Sequence, residues 1–450
     1  MFFFTSAENR FVGMTIVEKN GDKGVPLLLR NPLENIKGAS FSGSVFNLSC
    51  TIIGAGIMSL PATFKVLGVI PGIILILFTV FLTEMSVEML LRFSRPSGCG
   101  SYSEVMGDAF GVFGEMALRI IVVVNNIGVV IVYLIIIEDV FSGSTSNGIH
   151  HAGVLEGWFG AHWWTGRSFV LVVLTVTFFI PSICFKRIDS LRYTSTISVL
   201  LAVVFLVIVA SVTVYKLVEG SVLMPRLFPE LTNFGSLWNL STVIPVVVCA
   251  CVCHYNVHTI QNELDEEPQM QAVVGASLAL CASVYVTTGL FGYLLFGEST
   301  IPDMLSNFDT DLGIPYGSLL NDIIRVSYGG HIILIFPIVF HPLRLNLDGI
   351  LFASFRPLAN DNMRFALISL LLVVIGLVGA MYIPSIWIVF EFVGATAGFL
   401  MAFILPAAIA LKDRHGIATG KDKRAAIFMI VLGIFANAVA IYSSAYSLVR

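Results

Sequence analysis

Residues 46–61 read FNLSCTIIGAGIMSLP, and this stretch decides the fold. It lies inside an apolar run, residues 42–65, long enough to cross a bilayer, which takes ~20 mostly apolar residues. Yet Thr51, Gly54, Gly56, Ser59 and Pro61 crowd its middle and second half. Each glycine costs ~1 kcal/mol relative to alanine inside a helix, and proline removes a backbone donor. A continuous helix is therefore a poor solution. The run NLSTVIPVVVCACVCHYNVHTIQNEL, residues 239–264, has the same character. Pro245 interrupts its first half, and Cys253, His254, Tyr255 and Asn256 put polar groups deep inside it.

The rest of the chain is equally apolar. Of its 450 residues 56% are hydrophobic and 12% charged, with a mean hydropathy of +0.90. A soluble domain carries about 25% charged residues. The composition excludes a soluble enzyme, a nucleic-acid-binding protein and a disordered regulator, and it demands lipid as solvent. The net charge of −4 offers no basic excess for nucleic acid. Six of the seven cysteines lie in apolar runs and Cys99 in a basic loop, so no extracellular disulfide framework is expected. The first ten residues, MFFFTSAENR, lack the basic-then-apolar order of a cleavable signal.

Eleven spans are expected, over residues 42–65, 69–91, 117–141, 168–185, 191–215, 240–260, 271–296, 316–341, 365–382, 384–411 and 425–447. They must be helices, because every backbone donor needs a partner within lipid and the runs are too long for barrel strands. With a cytoplasmic N-terminus, nineteen of the 25 lysines and arginines fall on that side. Six, namely Lys65, Arg167, Lys216, Arg226, Arg325 and Arg450, fall on the other. This asymmetry supports both the count and the direction, and it puts the C-terminus on the lumenal or extracellular side. The acidic run Glu263, Asp265, Glu266 and Glu267 dissents, but acidic residues weigh little in that rule.

The interrupted spans are the first and the sixth, five apart. Such spacing is expected of two inverted five-helix repeats. The domains would then be a cytoplasmic tail at 1–41, a first repeat at 42–220, a second at 221–411, and span 11 with a short C-terminus at 412–450. In such an architecture half-helix ends meet near the midplane. Free N–H groups suit a carboxylate, and unwound carbonyls suit an ammonium group. The competing reading is close helix packing through Gly-x-Gly.

These stretches resemble the amino acid/auxin permease family. The resemblance is carried by FNLSCTIIGAGIMSLP, by Gly128 to Tyr133 with Asp139, and by VCHYNVHTIQNEL at 252–264. FPIVFHPLRLNLD at 336–348 and FVGATAGFLMAFILPAAIALK at 392–412 add to it. It runs from about residue 40 to 447 and looks closest to plant-type vacuolar amino-acid transporters, near the sodium-coupled neutral amino-acid transporters. It implies an all-α polytopic membrane protein with a LeuT-like 5+5 inverted repeat plus one helix. It also implies amino-acid substrates and secondary active transport by alternating access, with no catalytic residue and no cofactor.

Carried over by residue, the resemblance puts Thr51, Ile53, Gly54, Ala55, Gly56 and Ile57 of the first break around the substrate. Cys253 and His254 would face them, with Asn126 from span 3 and Tyr328 from span 8. Sodium-coupled relatives carry Asn where this chain has Cys50, and a hydroxyl residue where it has Ile335. Hard cations prefer oxygen ligands. A thiol and an aliphatic side chain supply none, which favours protons over sodium as the coupling ion.

Ionisable groups inside spans default to functional hypotheses. His254, Glu84 and Glu391 are the candidates for proton coupling. His331, Glu88, Glu138 and Asp139 have structural readings. His254 and His258, four apart and near Cys251 and Cys253, hint at a soft metal, but no fourth ligand is fixed and no metal is expected. His150, His151 and His162 read as a lumenal surface. Asn239-Leu240-Ser241 matches a glycan acceptor but sits at the mouth of a span. Neutral amino acids are preferred as substrates, because neither break holds a charged side chain. The rival is a transporter-like amino-acid sensor with little flux. A vacuolar or lysosomal-type membrane is favoured over the plasma membrane. Val25 to Leu29 resembles a sorting dileucine without its acidic residue.

Overall fold

The computed structural model describes residues 39–146, 148–185, 192–222, 224–231, 234–264, 267–352 and 357–449. The candidate sorting motif at 25–29 and all but the end of the 1–41 tail lie outside these residues, as do Asp265 and Glu266.

Helices make up nearly all of the described chain. In order they are α1 (Phe41–Ile52), α2 (Leu60–Leu67), α3 (Val69–Ser94) and α4 (Tyr102–Ser142). A two-stranded hairpin follows, β1 (Gly143–Ser146) and β2 (Ile149–Ala152), antiparallel with Gly143 opposite Ala152. Then come α5 (Val154–Phe159), α6 (Arg167–Leu174), α7 (Ile180–Ile183), α8 (Arg192–Val218), α9 (Phe234–Cys251), α10 (His254–Glu263) and α11 (Met270–Phe296). The last are α12 (Gly317–Leu351), α13 (Asn362–Tyr382), α14 (Ile386–Val393), α15 (Leu405–Lys412) and α16 (Gly420–Val449). Eight helical stretches among the described residues are long and apolar enough to cross a membrane, one of them Leu240–Glu263, and α1 with the segment Ala55–Leu67 makes a ninth, bent by 48°. The Arg167–Ile183 stretch is shorter and runs through a π-helical turn at Thr175–Phe179.

The third span, α4, starts earlier than the apolar run at 117–141 suggests. Its first turns precede Gly111, whose φ of +72° breaks the helix. Ser101 caps this start by accepting from the Glu104 N–H, a device read from local polar residues rather than from hydropathy.

Polar contacts gather at two ends of the helices. At the end where α1 begins, Ala39 N–H donates to the Glu263 carbonyl and Asn262 to that of Gly100. Arg92 pairs with Asp422, and Arg414 and His415 with Asp108. At the far end, Arg167 pairs with Glu138 and Asp139, and Arg226 with Glu298. His151 meets Asp309 there, and Lys65 donates to the Thr300 carbonyl.

Arg344 is a buried exception. Its guanidinium donates to the Ile183 carbonyl at 2.8 Å and to Ser369 Oγ at 3.1 Å, and lies 3.7 Å over the Phe365 ring. Burying a cation is costly unless its donors are used, so this arginine staples α12 to α7 and α13.

The stretch from 392 to 412 is explained by packing. Two π-helical turns, Gly394–Gly398 and Leu400–Ile404, lie between α14 and α15. Gly394 rests on the backbone of α9: a Cβ there would lie 2.0 Å from the Pro245 carbonyl oxygen. Backbone cannot move aside cheaply, and overpacking costs ~1–3 kcal/mol or more. Gly394→Ala should lower the melting temperature of the detergent-purified protein by several degrees. Gly157→Ala, where a Cβ meets nothing within 4 Å, should leave it unchanged.

Candidate functional site: two interrupted helices

α1 ends at Ile52. Ile53 and Gly54 leave the helix, and a 3-10 turn over Ala55–Ser59 leads into α2. Leaving the helix frees peptide groups, and away from water each needs a partner within the protein. Three side chains take the carbonyls in order. The Tyr285 hydroxyl lies 2.5 Å from the Ile52 oxygen. His331 Nε2 lies 2.9 Å from the Ile53 oxygen. The Tyr328 hydroxyl donates to the Gly54 oxygen at 2.7 Å.

The second interruption is Val252 and Cys253, between α9 and α10. Tyr285 serves this one too, because its hydroxyl is also 2.7 Å from the Ala250 oxygen. One hydroxyl proton is thus shared between the broken ends of two helices. Asn256 ties the same region together. Its amide donates to Thr51 Oγ1 at 3.1 Å and to the Ile338 carbonyl at 3.3 Å. That carbonyl is free because Pro342, four residues on, has no N–H to give it.

Close approach needs the glycines. A Cβ on Gly54 would lie 2.4 Å from the Tyr133 hydroxyl, and one on Gly56 would lie 2.5 Å from Ala250 Cβ. Gly56 therefore does pack against the other interrupted helix, as the packing reading holds. Gly54 brings backbone to a tyrosine hydroxyl.

Thr51, Ile53, Gly54, Ala55, Gly56 and Ile57 are all buried at or beside the first break. Tyr328 joins them through its bond to Gly54, and Cys253 stands in the second break. The bonds of Asn126 run elsewhere. Its amide donates to the Val339 carbonyl at 3.3 Å and its oxygen accepts from Asn125, joining α4 to α12. His254 turns toward α3, with Nε2 2.6 Å from Ser86 Oγ, and its Nδ1 has no partner among the described residues. Glu84 is exposed and Glu391 half-buried. Sequence reasoning did not place Tyr285, His331, Tyr133 or Asn256 at the site. The available signal was a polar group in the middle of an apolar run, which must find a buried partner.

Cavities open at both ends of the helices. One of about 200 Å³ is lined by Tyr102 and Arg119 of α4, Tyr255 and Thr259 of α10, and Asn346 of α12. A cleft of about 650 Å³ at the far end is lined by Trp158, Asp309, Asp311, Asp322 and Arg325.

A family model described as transmembrane amino acid transporter protein matches residues 37–448. The chain belongs to this family. Its members are transporters, not enzymes. It is 57% identical to Amino acid transporter AVT6A of Arabidopsis thaliana over 93% of this chain and 91% of that one. It is 56% identical to AVT6B of the same plant, over 94% and 95%. A sodium-coupled neutral amino acid symporter 2 from Danio rerio is 27% identical over 87% and 80%. Among solved structures, MhsT in complex with L-phenylalanine superposes with a TM-score of 0.60 at 11% identity, covering 90% of this chain and 99% of that one. This likeness shows a LeuT-like fold. The sensor reading gains no support from these relatives, each of which is named a transporter or symporter.

In the loop between α11 and α12, Asp303 is only 7% exposed. Its Oδ1 accepts from the Leu305 N–H at 3.0 Å, and its Oδ2 has no partner among the described residues. Burial pushes this carboxyl up to about 6, against the pull of the Leu305 N–H and Arg325. A carboxyl raised on folding binds more protons in the native state, so its contribution to stability falls as pH rises. The loss runs from the unfolded value near 4 to about 6. The melting temperature of the transporter should fall across this window, and Asp303→Asn should flatten that part of the profile.

Tyr285→Phe would take the hydroxyl donor from the Ala250 carbonyl and leave the Ile52 carbonyl with the Gly54 N–H alone, a penalty of ~1–3 kcal/mol for a buried group left unpaired. Amino-acid uptake into liposomes should drop about tenfold or more, with the protein still folded.

Proposed function

We infer that the protein is a secondary active transporter of neutral amino acids that works by alternating access and is driven by protons. The single observation that carries this reading is the pair of breaks. Unwound backbone from α1 and from the α9–α10 junction is held in one buried region by Tyr285, Tyr328, His331 and Asn256. Ala55 and Gly56 open the 3-10 turn that follows the first break, and the N–H groups of a first helical turn suit an α-carboxylate.

Substrate would lie against Thr51, Ile53, Gly54, Ala55, Gly56 and Ile57, with Cys253, Tyr133 and Tyr328 closing around it. Neutral side chains fit best, because the residues bonded around the breaks are Tyr, His, Asn and Thr, with no carboxylate or guanidinium among them. The Danio rerio relative is named for neutral amino acids, which agrees. Protons are favoured over sodium because Cys50 donates its thiol to the Ser195 carbonyl at 3.3 Å and Ile335 is a buried aliphatic, so neither offers an oxygen.

The architecture on this reading is eleven spans. α1–α2 count as one, α6–α7 as one, α9–α10 as one and α14–α15 as one, with α16 last. Two inverted repeats would cover 42–220 and 221–411. The charge asymmetry supports a cytoplasmic N-terminus. The likeness to plant vacuolar transporters supports a vacuolar-type membrane, where an acidic lumen would drive efflux into the cytosol.

Purified protein in liposomes tests this. Neutral amino acids should accumulate under an imposed pH gradient and not under an imposed sodium gradient. Flux that follows sodium and ignores pH would refute proton coupling. Gly54→Ala, which drives a methyl group into Tyr133, should abolish uptake at normal protein abundance.

A further inference from the structure

His331 of α12 is wholly buried, and its ring joins three helices. Nε2 lies 2.9 Å from the Ile53 carbonyl of the first break. On the other side of the ring, Nδ1 has two neighbours, both from Ser198 of α8: the hydroxyl at 2.7 Å and the carbonyl at 2.9 Å. The Ser198 hydroxyl in turn has a second acceptor within reach, the carbonyl of His331 itself at 3.3 Å.

This arrangement provides partners for both protonation states. Nε2 faces a carbonyl, which can only accept, so it carries a proton in either state. In the neutral ring Nδ1 is an acceptor, and the Ser198 hydroxyl donates to it. In the charged ring Nδ1 is a donor. The Ser198 carbonyl then accepts from it, and the hydroxyl swings to the His331 carbonyl. No buried group is stranded by the exchange.

We propose that His331 is the binding site of the transported proton. The assignment rests on the proton-coupled reading above and names the group that carries it out. Protonation puts a positive charge between the Ile53 carbonyl of the interrupted helix and the Ser198 carbonyl of α8. It strengthens both bonds, since charge-assisted hydrogen bonds are roughly twice as strong as neutral ones. The first break is thereby clamped to α8 and α12. Loss of the proton weakens the clamp and lets the interrupted helix part from them. An imidazolium held by carbonyl dipoles also supplies the positive charge that a metal ion would bring, in a region where Cys50 and Ile335 offer no oxygen.

The groups facing the ring are compatible with this role. From α12 itself the Tyr328 ring lies 5.0 Å away, centroid to centroid, with its hydroxyl committed to Gly54. Just after α1 comes the Ile53 carbonyl, and the Cys50 thiol of α1 interacts with Ser198 and bonds to the Ser195 carbonyl of α8. From α11, Tyr285 holds the neighbouring Ile52 carbonyl. No charged side chain acts on the ring among the described residues, so its charge state answers to the proton and to these dipoles.

The test measures amino-acid-driven proton flux and amino-acid exchange in liposomes, for wild type, His331→Gln and Ser198→Ala. Gln at 331 can still donate to Ile53 but cannot take a proton. It should lose amino-acid-driven proton flux while exchange persists at a reduced rate. Ser198→Ala removes the partner of the neutral ring and keeps that of the charged ring. It should move the pH midpoint of wild-type uptake upward by roughly half a unit.

Proton flux through H331Q equal to wild type would overturn the assignment, as would loss of exchange together with proton flux in folded H331Q. If H331Q does not fold, S198A decides, and an unmoved midpoint overturns the assignment. Absence of proton flux in the wild type would instead remove the proton-coupled reading itself.

Discussion

Peptide groups released from a helix in the middle of a membrane have no water to bond, and the structure is arranged around that constraint. Ile53 and Gly54 interrupt one helix, and Val252 and Cys253 another. The freed carbonyls are then taken by hydroxyl and imidazole groups from α11 and α12. This makes the breaks stable without closing them with more helix. It also ties their geometry to helices that did not break, so a shift of α12 relative to α1 must alter the bonds of Tyr328 and His331 to the unwound backbone. Tyr285 adds a second coupling, because its single hydroxyl proton faces carbonyls from both interrupted helices.

Much of this was legible in the sequence. Apolar runs located nearly every helix, because lipid demands continuous hydrophobic length. Gly54, Gly56 and Pro61 marked the first break, and polar residues after Val252 marked the second. The partners of the breaks were not legible in the same way. Tyr285 and His331 are single polar residues in apolar runs, and nothing local says which distant carbonyl each will meet. Asn126 and His254 show the converse. Both are polar and buried, as the expectation required, but their bonds run to Val339 and Ser86. Which face of a helix a residue occupies depends on tertiary packing, and a uniformly apolar helix does not reveal its rotation. Gly394 is a similar case, since only its seat on the Pro245 carbonyl explains a glycine there.

The family establishes amino-acid transport, and the chemistry of the breaks bears on how it is done. Hydroxyl, imidazole and amide groups surround the unwound backbone, and they can exchange partners at little cost. Ion pairs gather at the ends of the helices, with Arg167, Glu138 and Asp139 on one side and Arg92, Asp108, Arg414 and Asp422 on the other. Charge thus gathers at the helix ends, and dipoles surround the breaks.

The most direct measurement is a density map of the purified protein with a neutral amino acid bound. The account predicts ligand density between Gly54–Ile57 and the Val252–Cys253 interruption, with the carboxylate against the Ala55 and Gly56 N–H groups. Ligand density elsewhere, with both segments wound into unbroken helix, would contradict it.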